Sequence, residues 1–301
     1  MLEAAIILAL SLGGPAQVVL DHTELPGGLP MGEILTTFDK ATVSTEILRA
    51  AKICAKKRTP YRMTYPRIPY PGGDPPADSG LCCDVVVRSL RAAGIDLQEL
   101  VYEDSLEARD RYLEINRRTG FPRPLNRSWV HRRTSNLNLF FSRHAISLPT
   151  RYSPRNRDSW QPGDIVVYQR YGWETWHIAI VSDATDPSGG DPVIVDSWLQ
   201  PGYASESHHL TSHGTIGGHY RIQDDFRDSL SPERIWKARL AWLGFMIGAT
   251  SAEGMKLAES TAPTRAKNPL AEPSIDPRQS SAWFPGSRQA PFWGFGIRVA
   301  D

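Results

Sequence analysis

The chain has 301 residues, 41% hydrophobic and 22% charged, enough to bury a substantial core in one or two domains. Lys and Arg total 34 against 33 for Asp and Glu, which leaves no electrostatic footprint for nucleic acid or an anionic membrane, and no nucleic-acid partner is expected. The three cysteines, Cys54, Cys82 and Cys83, exclude a disulfide framework, so the fold must rest on its core.

The opening MLEAAIILALSLGGPAQ joins an apolar run to small residues as a secretory signal does, although Glu3 stands where a basic residue is usual. Residues 1–30 are read as a signal peptide and linker, with the periplasm or cell envelope as destination. The alternative is a cytoplasmic protein with a buried N-terminal segment. Positions 39–57 alternate as a helix, with Cys54 near its end as a packing residue. The Pro- and Gly-rich stretch TPYRMTYPRIPYPGGDPPADSG predicts an irregular loop, with Gly72-Gly73 as a backbone turn. From Cys83 onward Val86, Val87, Leu90 and Ala93 recur at helical spacing, Arg88 and Arg91 take the other side, Asp78 or Ser79 offers a cap and Gly94 a stop. A polar helix is predicted over 103–118 and a shorter one over 133–144. Basic clusters such as Lys56-Lys57-Arg58 and Arg132-Arg133 read as solvated faces.

The periodicity then changes. WQPGDIVVYQR, WHIAIVSD and DPVIVDSW each read as a short strand, and GTIGGHYRI adds a fourth, so helices precede a meander of antiparallel strands in an α+β pattern. Ser231-Pro232-Glu233 opens a last helix with Trp236, Leu240, Leu243 and Ile247 as its stripe. Docking on the domain is expected for it, rather than contact of residues 233–249 with a membrane surface. The organisation is thus a domain at 31–226, a C-terminal helix at 227–250 and a disordered tail at 251–301 in which PFWGFGIRV stands out as aromatic.

Cys82 and Cys83 fall at the first turn of a helix, where the macrodipole and unpaired N–H groups favour thiolate over thiol. A thiolate nucleophile needs a base, and the base an orienting group. His177 begins HIAIVSD, and a hairpin that pairs Val181 with residue 192 or 193 sets it opposite Asp196 or Ser197. Helical neighbours point about 100° apart, so the two cysteines cannot share one histidine. Cys83 shares a stripe with Val87 and Leu90 and reads as core, whereas Cys82 lies on the less oily side with Ser89. Adjacent cysteines suit neither a disulfide nor a zinc grip. In SESHHLTSHGTIGGHY, His209 and His213 have the helical spacing of a metal pair, but the Gly and Ser content argues for a solvated loop. No metal or cofactor is expected. Trp173, Trp176 and Trp198 around His177 are either core or the walls of a cleft, and His131 and His144 have no evident partner.

YPGGDPPADSGLCCDVVVRSLRAAGIDLQEL, HRRTSNLNLFFSRH, WQPGDIVVY, HIAIVSD and GGHYRI, in this order, resemble a bacterial family known as the domain of unknown function twelve-eighty-seven, related to the NlpC-type and CHAP-type cell-wall peptidases. The resemblance implies a papain-like α+β fold, the nucleophile helix packed on an antiparallel sheet. It implies Cys82 as nucleophile, Asp84 as the polar helix residue and His177 as base. Asp196 takes the third position, where the pattern commonly carries Asn or His. It also implies an oxyanion hole from the Cys82 N–H and a loop donor, assigned to Tyr70, with Tyr61 and Tyr65 in the same loop, while His219 in the matching GGHYRI is either structural or part of the cleft and Trp176 by its position is either core or a cleft wall. The function implied is hydrolysis of a peptide or amide in peptidoglycan through a thioester. Alternatives are a transferase or glutamine deamidase acting on proteins, and a binding module without catalysis.

Overall fold

The computed structural model describes residues 24–25, 29–30, 41–120, 124–170, 174–186 and 190–248. Residues 1–23, which carry the run read as a secretory signal, the tail with PFWGFGIRV, and Trp173 lie outside the described residues. Two short strands, β1 (Glu24–Leu25) and β2 (Leu29–Pro30), pair antiparallel. Helix α1 (Val43–Lys57) starts where Thr42 accepts the Thr45 N–H and stops at Arg58, whose left-handed φ of 49° ends the helical path. Its face of Val43, Ile47, Ala50, Ala51 and Cys54 is buried, and burial pushes the Cys54 thiol up to about 12, as suits a packing residue.

Helix α2 (Cys82–Ala92) is the centre of the molecule: all its residues are buried. It lies between α1, the sheet and the C-terminal helix α7 (Pro232–Ile247). Each branched side chain it removes from water contributes roughly 1.5–3 kcal/mol. Gly94 ends it at φ 85°, and a Cβ there would come within 2.6 Å of Ile235, so the turn and the close approach of α7 both demand glycine. Arg88 and Arg91, opposite the apolar stripe, are only 2% and 1% exposed. The Pro-rich loop folds over that side and supplies Asp74 to both, while Asp96 takes Arg91 and the Phe245 ring lies under Arg88 at 4.2 Å. Arg132 corrects the reading of its cluster as a solvated face in the same way, being 1% exposed against Asp84. Lys56, Lys57 and Arg58 are exposed as expected.

The polar helix predicted over 103–118 is two helices, α3 (Leu97–Glu107) and α4 (Arg109–Arg118), broken at Ala108 where ψ turns to 39°. Helix α5 (Thr134–His144) follows a single turn at Val130–Arg132. The sheet comprises β3 (Ile146–Ser147), β4 (Ile165–Arg170), β5 (Glu174–Thr185), β6 (Pro192–Ser197), β7 (Ala204–His209) and β8 (Thr215–Arg221). Its order is β3-β8-β4-β5-β6-β7, and every pairing is antiparallel. The four predicted strands are present. β7, which contains part of the stretch read as a solvated loop, forms the edge beside β6. Alternation divides the sheet: Ile178, Ile180 and Val195 face the helices, while Ala179, Val181 and Ile194 face a second cluster with Val166, Tyr168 and Leu210. A short helix, α6 (Asp224–Asp228), leads to α7, which docks through Ala238, Leu240, Trp242, Leu243, Phe245 and Met246. Trp236 of the expected stripe is half-buried. Among the described residues no helix is long and apolar enough to cross a membrane.

Candidate active site

The loop 59–80 ends by presenting Leu81 as the cap of α2 in extended conformation, without a side chain able to accept an N–H. Asp84 supplies the missing half, accepting the Leu81 N–H at 2.6 Å. Arg132 grips the same carboxylate at 2.7 and 2.8 Å and donates to the Thr64 carbonyl at 2.9 Å, so the loop and the helix start are fixed to one guanidinium. Cys82 is thereby held at the first helical position, 6% exposed, where helix N–H groups have no intrahelical acceptor.

His177 lies within β5, paired with Tyr168 of β4. Val181 pairs with Ile194 rather than with residue 192 or 193, and Ile180 with Val195. This register sets Asp196 level with Ala179, so His177 and Asp196 are diagonal neighbours on one face. The imidazole spans the diagonal: Nε2–H donates to Asp196 Oδ2 at 2.7 Å, with both residues fully buried. His177 Nδ1 is buried and makes no hydrogen bond of normal geometry among the described residues. It is the ring atom left for Cys82, the thiol with which His177 is electrostatically paired.

The charges follow from this arrangement. The Cys82 thiol is held well below the ordinary thiol range by a hydrogen bond from the Cys83 thiol, by the His177 charge and N–H, and by the Ile178 N–H, against the opposing effect of burial. Burial pushes His177 down, but the Cys82 charge, the Asp196 hydrogen bond and the Asp196 charge outweigh it and raise His177 to about 9. Asp196 is lowered despite burial, because three imidazoles donate to it. Cys83 is raised well above the thiol range, first because it donates to Cys82 and then by burial, and its Sγ lies 3.4 Å from Thr134 Oγ1. The adjacent thiols are thus shifted in opposite directions, Cys82 down and Cys83 up.

Trp176 and Trp198, both half-buried, stand 5.6 and 5.0 Å from the His177 ring and meet each other edge-on at 5.0 Å. Tyr61 extends this wall, 5.6 Å from Trp198. One other assignment is corrected. Tyr70 packs on Tyr102 at 5.6 Å with the Arg127 guanidinium over its ring; Tyr61 and Tyr65 are the loop tyrosines whose ionisation is opposed first by burial and then by the two cysteines. Asp84 is occupied in holding the helix start. His219 lies against Asp164 at 2.9 Å and the Pro149 carbonyl at 3.0 Å, stacked on Trp160 at 3.9 Å.

The sequence reading missed two neighbours of Asp196. His208 Nδ1 donates to Oδ1 at 2.9 Å, and His213 Nε2 to Oδ2 at 2.8 Å. Helical spacing singled out His209 with His213, whereas strand pairing decides the matter: His208 sits opposite Ile194, and the turn after β7 returns His213. His177, Asp196 and His213 are also the described residues placed to hold a metal, their ligand atoms all lying within 4.8 Å of one another.

The family model "Domain of unknown function (DUF1287)" matches residues 48–222, a span from within α1 to the end of the sheet that contains every residue of this site. The "Uncharacterized protein YijF" of Escherichia coli (strain K12) is 35% identical over 161 residues, which are 54% of this chain and 73% of that protein. No solved structure matches the chain. With more than half of its length matched by the family model, the chain belongs to the DUF1287 family.

Proposed function

We propose that this protein is a papain-like cysteine amidohydrolase or endopeptidase that cleaves peptide or amide bonds in bacterial peptidoglycan. One observation carries the reading: an imidazole held at Nε2 by a buried carboxylate, with its other nitrogen left for a thiol at the start of a helix. The Cys82 thiolate attacks the carbonyl carbon, and the Cys82 backbone N–H with a donor from the loop 59–80 stabilises the oxyanion. His177 passes its Nδ1 proton to the leaving amine, and the thioester forms. Water, deprotonated by the now neutral Nδ1, releases the acyl group and restores the free thiolate. Asp196 keeps the ring oriented and favours the imidazolium throughout. The walls at Trp176, Trp198 and Tyr61 suit a glycan or peptide lying beside the imidazole. The substrate class is supported by the resemblance to cell-wall peptidases and by the export signal expected at the N-terminus.

Digestion of purified peptidoglycan by wild type and Cys82→Ala tests the reading. New stem-peptide fragments are expected with wild type alone. Deamidated protein glutamine without such fragments would move the activity to the alternative substrate class, and a variant as active as wild type would remove Cys82 from the chemistry.

A further inference from the structure

Asp196 gathers more imidazoles than a base requires. His177 Nε2 and His213 Nε2 both sit on Oδ2, at 2.7 and 2.8 Å, with ring centroids 4.1 Å apart, while His208 occupies Oδ1. One N–H suffices to orient His177, and the hydrolytic cycle uses neither His208 nor His213. Two imidazole nitrogens and one carboxylate oxygen are also the donor set of zinc sites of the two-histidine, one-carboxylate type, which keep a fourth position open. Here that set comes from three separate segments, β5, β6 and the turn after β7, and is largely buried. Zn–N and Zn–O bonds of about 2.0–2.2 Å in a tetrahedron separate ligand atoms by about 3.3 Å. The two contacts to Asp196 Oδ2 need to open by only about half an ångström, and the three ligand atoms already lie within 4.8 Å of one another. Imidazole donors favour Zn²⁺ over the oxygen-seeking Mg²⁺ and Ca²⁺.

We propose that Zn²⁺, or a divalent ion of similar softness, binds through His177 Nε2, His213 Nε2 and Asp196 Oδ2, and that this switches the cysteine hydrolase off. The first half stands on the cluster alone; the second rests on the hydrolase reading. Binding displaces the Nε2 proton of the His177 imidazolium to solvent and moves the His213 proton to its Nδ1. His177 then keeps one proton, on Nδ1 beside Cys82. In the metal-free protein that proton leaves an imidazolium and yields a neutral ring. In the metal-bound protein its departure would yield an imidazolate, so transfer to the leaving amine is blocked.

The test uses the metal-stripped full chain. Titration with Co²⁺ is expected to give the visible bands of a tetrahedral ion, saturating at one equivalent. Cys82→Ala should bind as wild type does. His213→Asn should bind about a hundredfold more weakly or worse, at or beyond the tenfold to hundredfold cost of losing an outer partner. X-ray absorption of the Zn²⁺-loaded wild type, which needs no variant to fold, should show only nitrogen and oxygen scatterers at about 2.0–2.2 Å. A sulfur scatterer at about 2.3 Å, unchanged binding by His213→Asn, or no binding would overturn the site. Zn²⁺ should abolish peptidoglycan cleavage and a chelator restore it; faster cleavage on loading would overturn the switch. Binding by this donor set in a protein that cleaves nothing when metal-free would support the site and remove the hydrolase reading together with its switch.

Discussion

Two buried carboxylates, Asp164 just before β4 and Asp196 within β6, hold histidines in different ways. Asp164 meets His219 Nε2 at 2.9 Å and Arg221 at 2.7 and 2.8 Å. The other ring nitrogen of His219 is taken by the Pro149 carbonyl, and the ring lies flat on Trp160. Asp196 meets His177 just as closely, yet the second nitrogen of His177 has no partner of normal geometry and stands on the side of a thiol at a helix start. A histidine with both nitrogens engaged is a strut. One with a nitrogen left free beside an ionised group can move a proton. The pairing of His with Asp says little by itself; the fate of the second nitrogen distinguishes the two.

The largest expected effect separates these histidines directly. His177→Gln should slow cleavage by about 10²–10⁴-fold, the range for loss of a positioned acid and base, with a modest change in melting temperature. His219→Gln should do the reverse, costing about 1–3 kcal/mol of stability while activity per folded molecule is retained. Steady-state rates and thermal melts of both variants check the pair of outcomes, and equal behaviour of the two would erase the contrast.

Arg132→Met should be the most destabilising single change near the site. It strands the Asp84 carboxylate, 2% exposed, at the start of α2, and breaking such a buried pair costs about 3–5 kcal/mol. Urea unfolding measures it. A cost below about 1 kcal/mol, the value of an exposed pair, would show that the loop and helix start are not tied through this guanidinium.

The pH profile should sharpen the same comparison. Cys82 is lowered and gains its negative charge below the ordinary thiol range, whereas His177 is raised and keeps its proton up to about 9. The ion pair therefore exists between these limits. With chelator present, kcat/KM should rise on the acid side before ordinary thiols ionise and fall as pH increases through about 9. Asp196→Asn removes a cause of the rise in His177, so the alkaline limb should move to lower pH. Cys83→Ala removes the hydrogen bond that lowers Cys82 most and should shift the acid limb upward while leaving the alkaline limb in place.

The helix start at Cys82, the strand of His177 and the partnership with Asp196 were legible in the sequence. Each depends on periodicity that reaches across a few residues, and the diagonal geometry of a sheet forgave an error of one or two residues in register. The buried arginines were not legible. Arg88, Arg91 and Arg132 look solvated because their partners Asp74, Asp96 and Asp84 are brought to them by chain folding rather than by local spacing. His208 and His213 were hidden because a Ser- and Gly-rich edge strand has little apolar alternation, so only its pairing with β6 reveals which side chains share a face with Asp196. Tyr70 was set apart from its neighbours by a loop whose path no periodicity describes.

His177 is one of the groups that hold the Cys82 thiol below the ordinary range. The most direct measurement is the pH dependence of iodoacetamide alkylation at Cys82, resolved from Cys83 by fragment mass spectrometry, in wild type and His177→Gln. Wild type should react at pH values well below the ordinary thiol pKa of about 8.5, and His177→Gln should lose that low-pH reactivity. An inflection in wild type at or above the ordinary thiol value, unchanged by the substitution, would contradict the account.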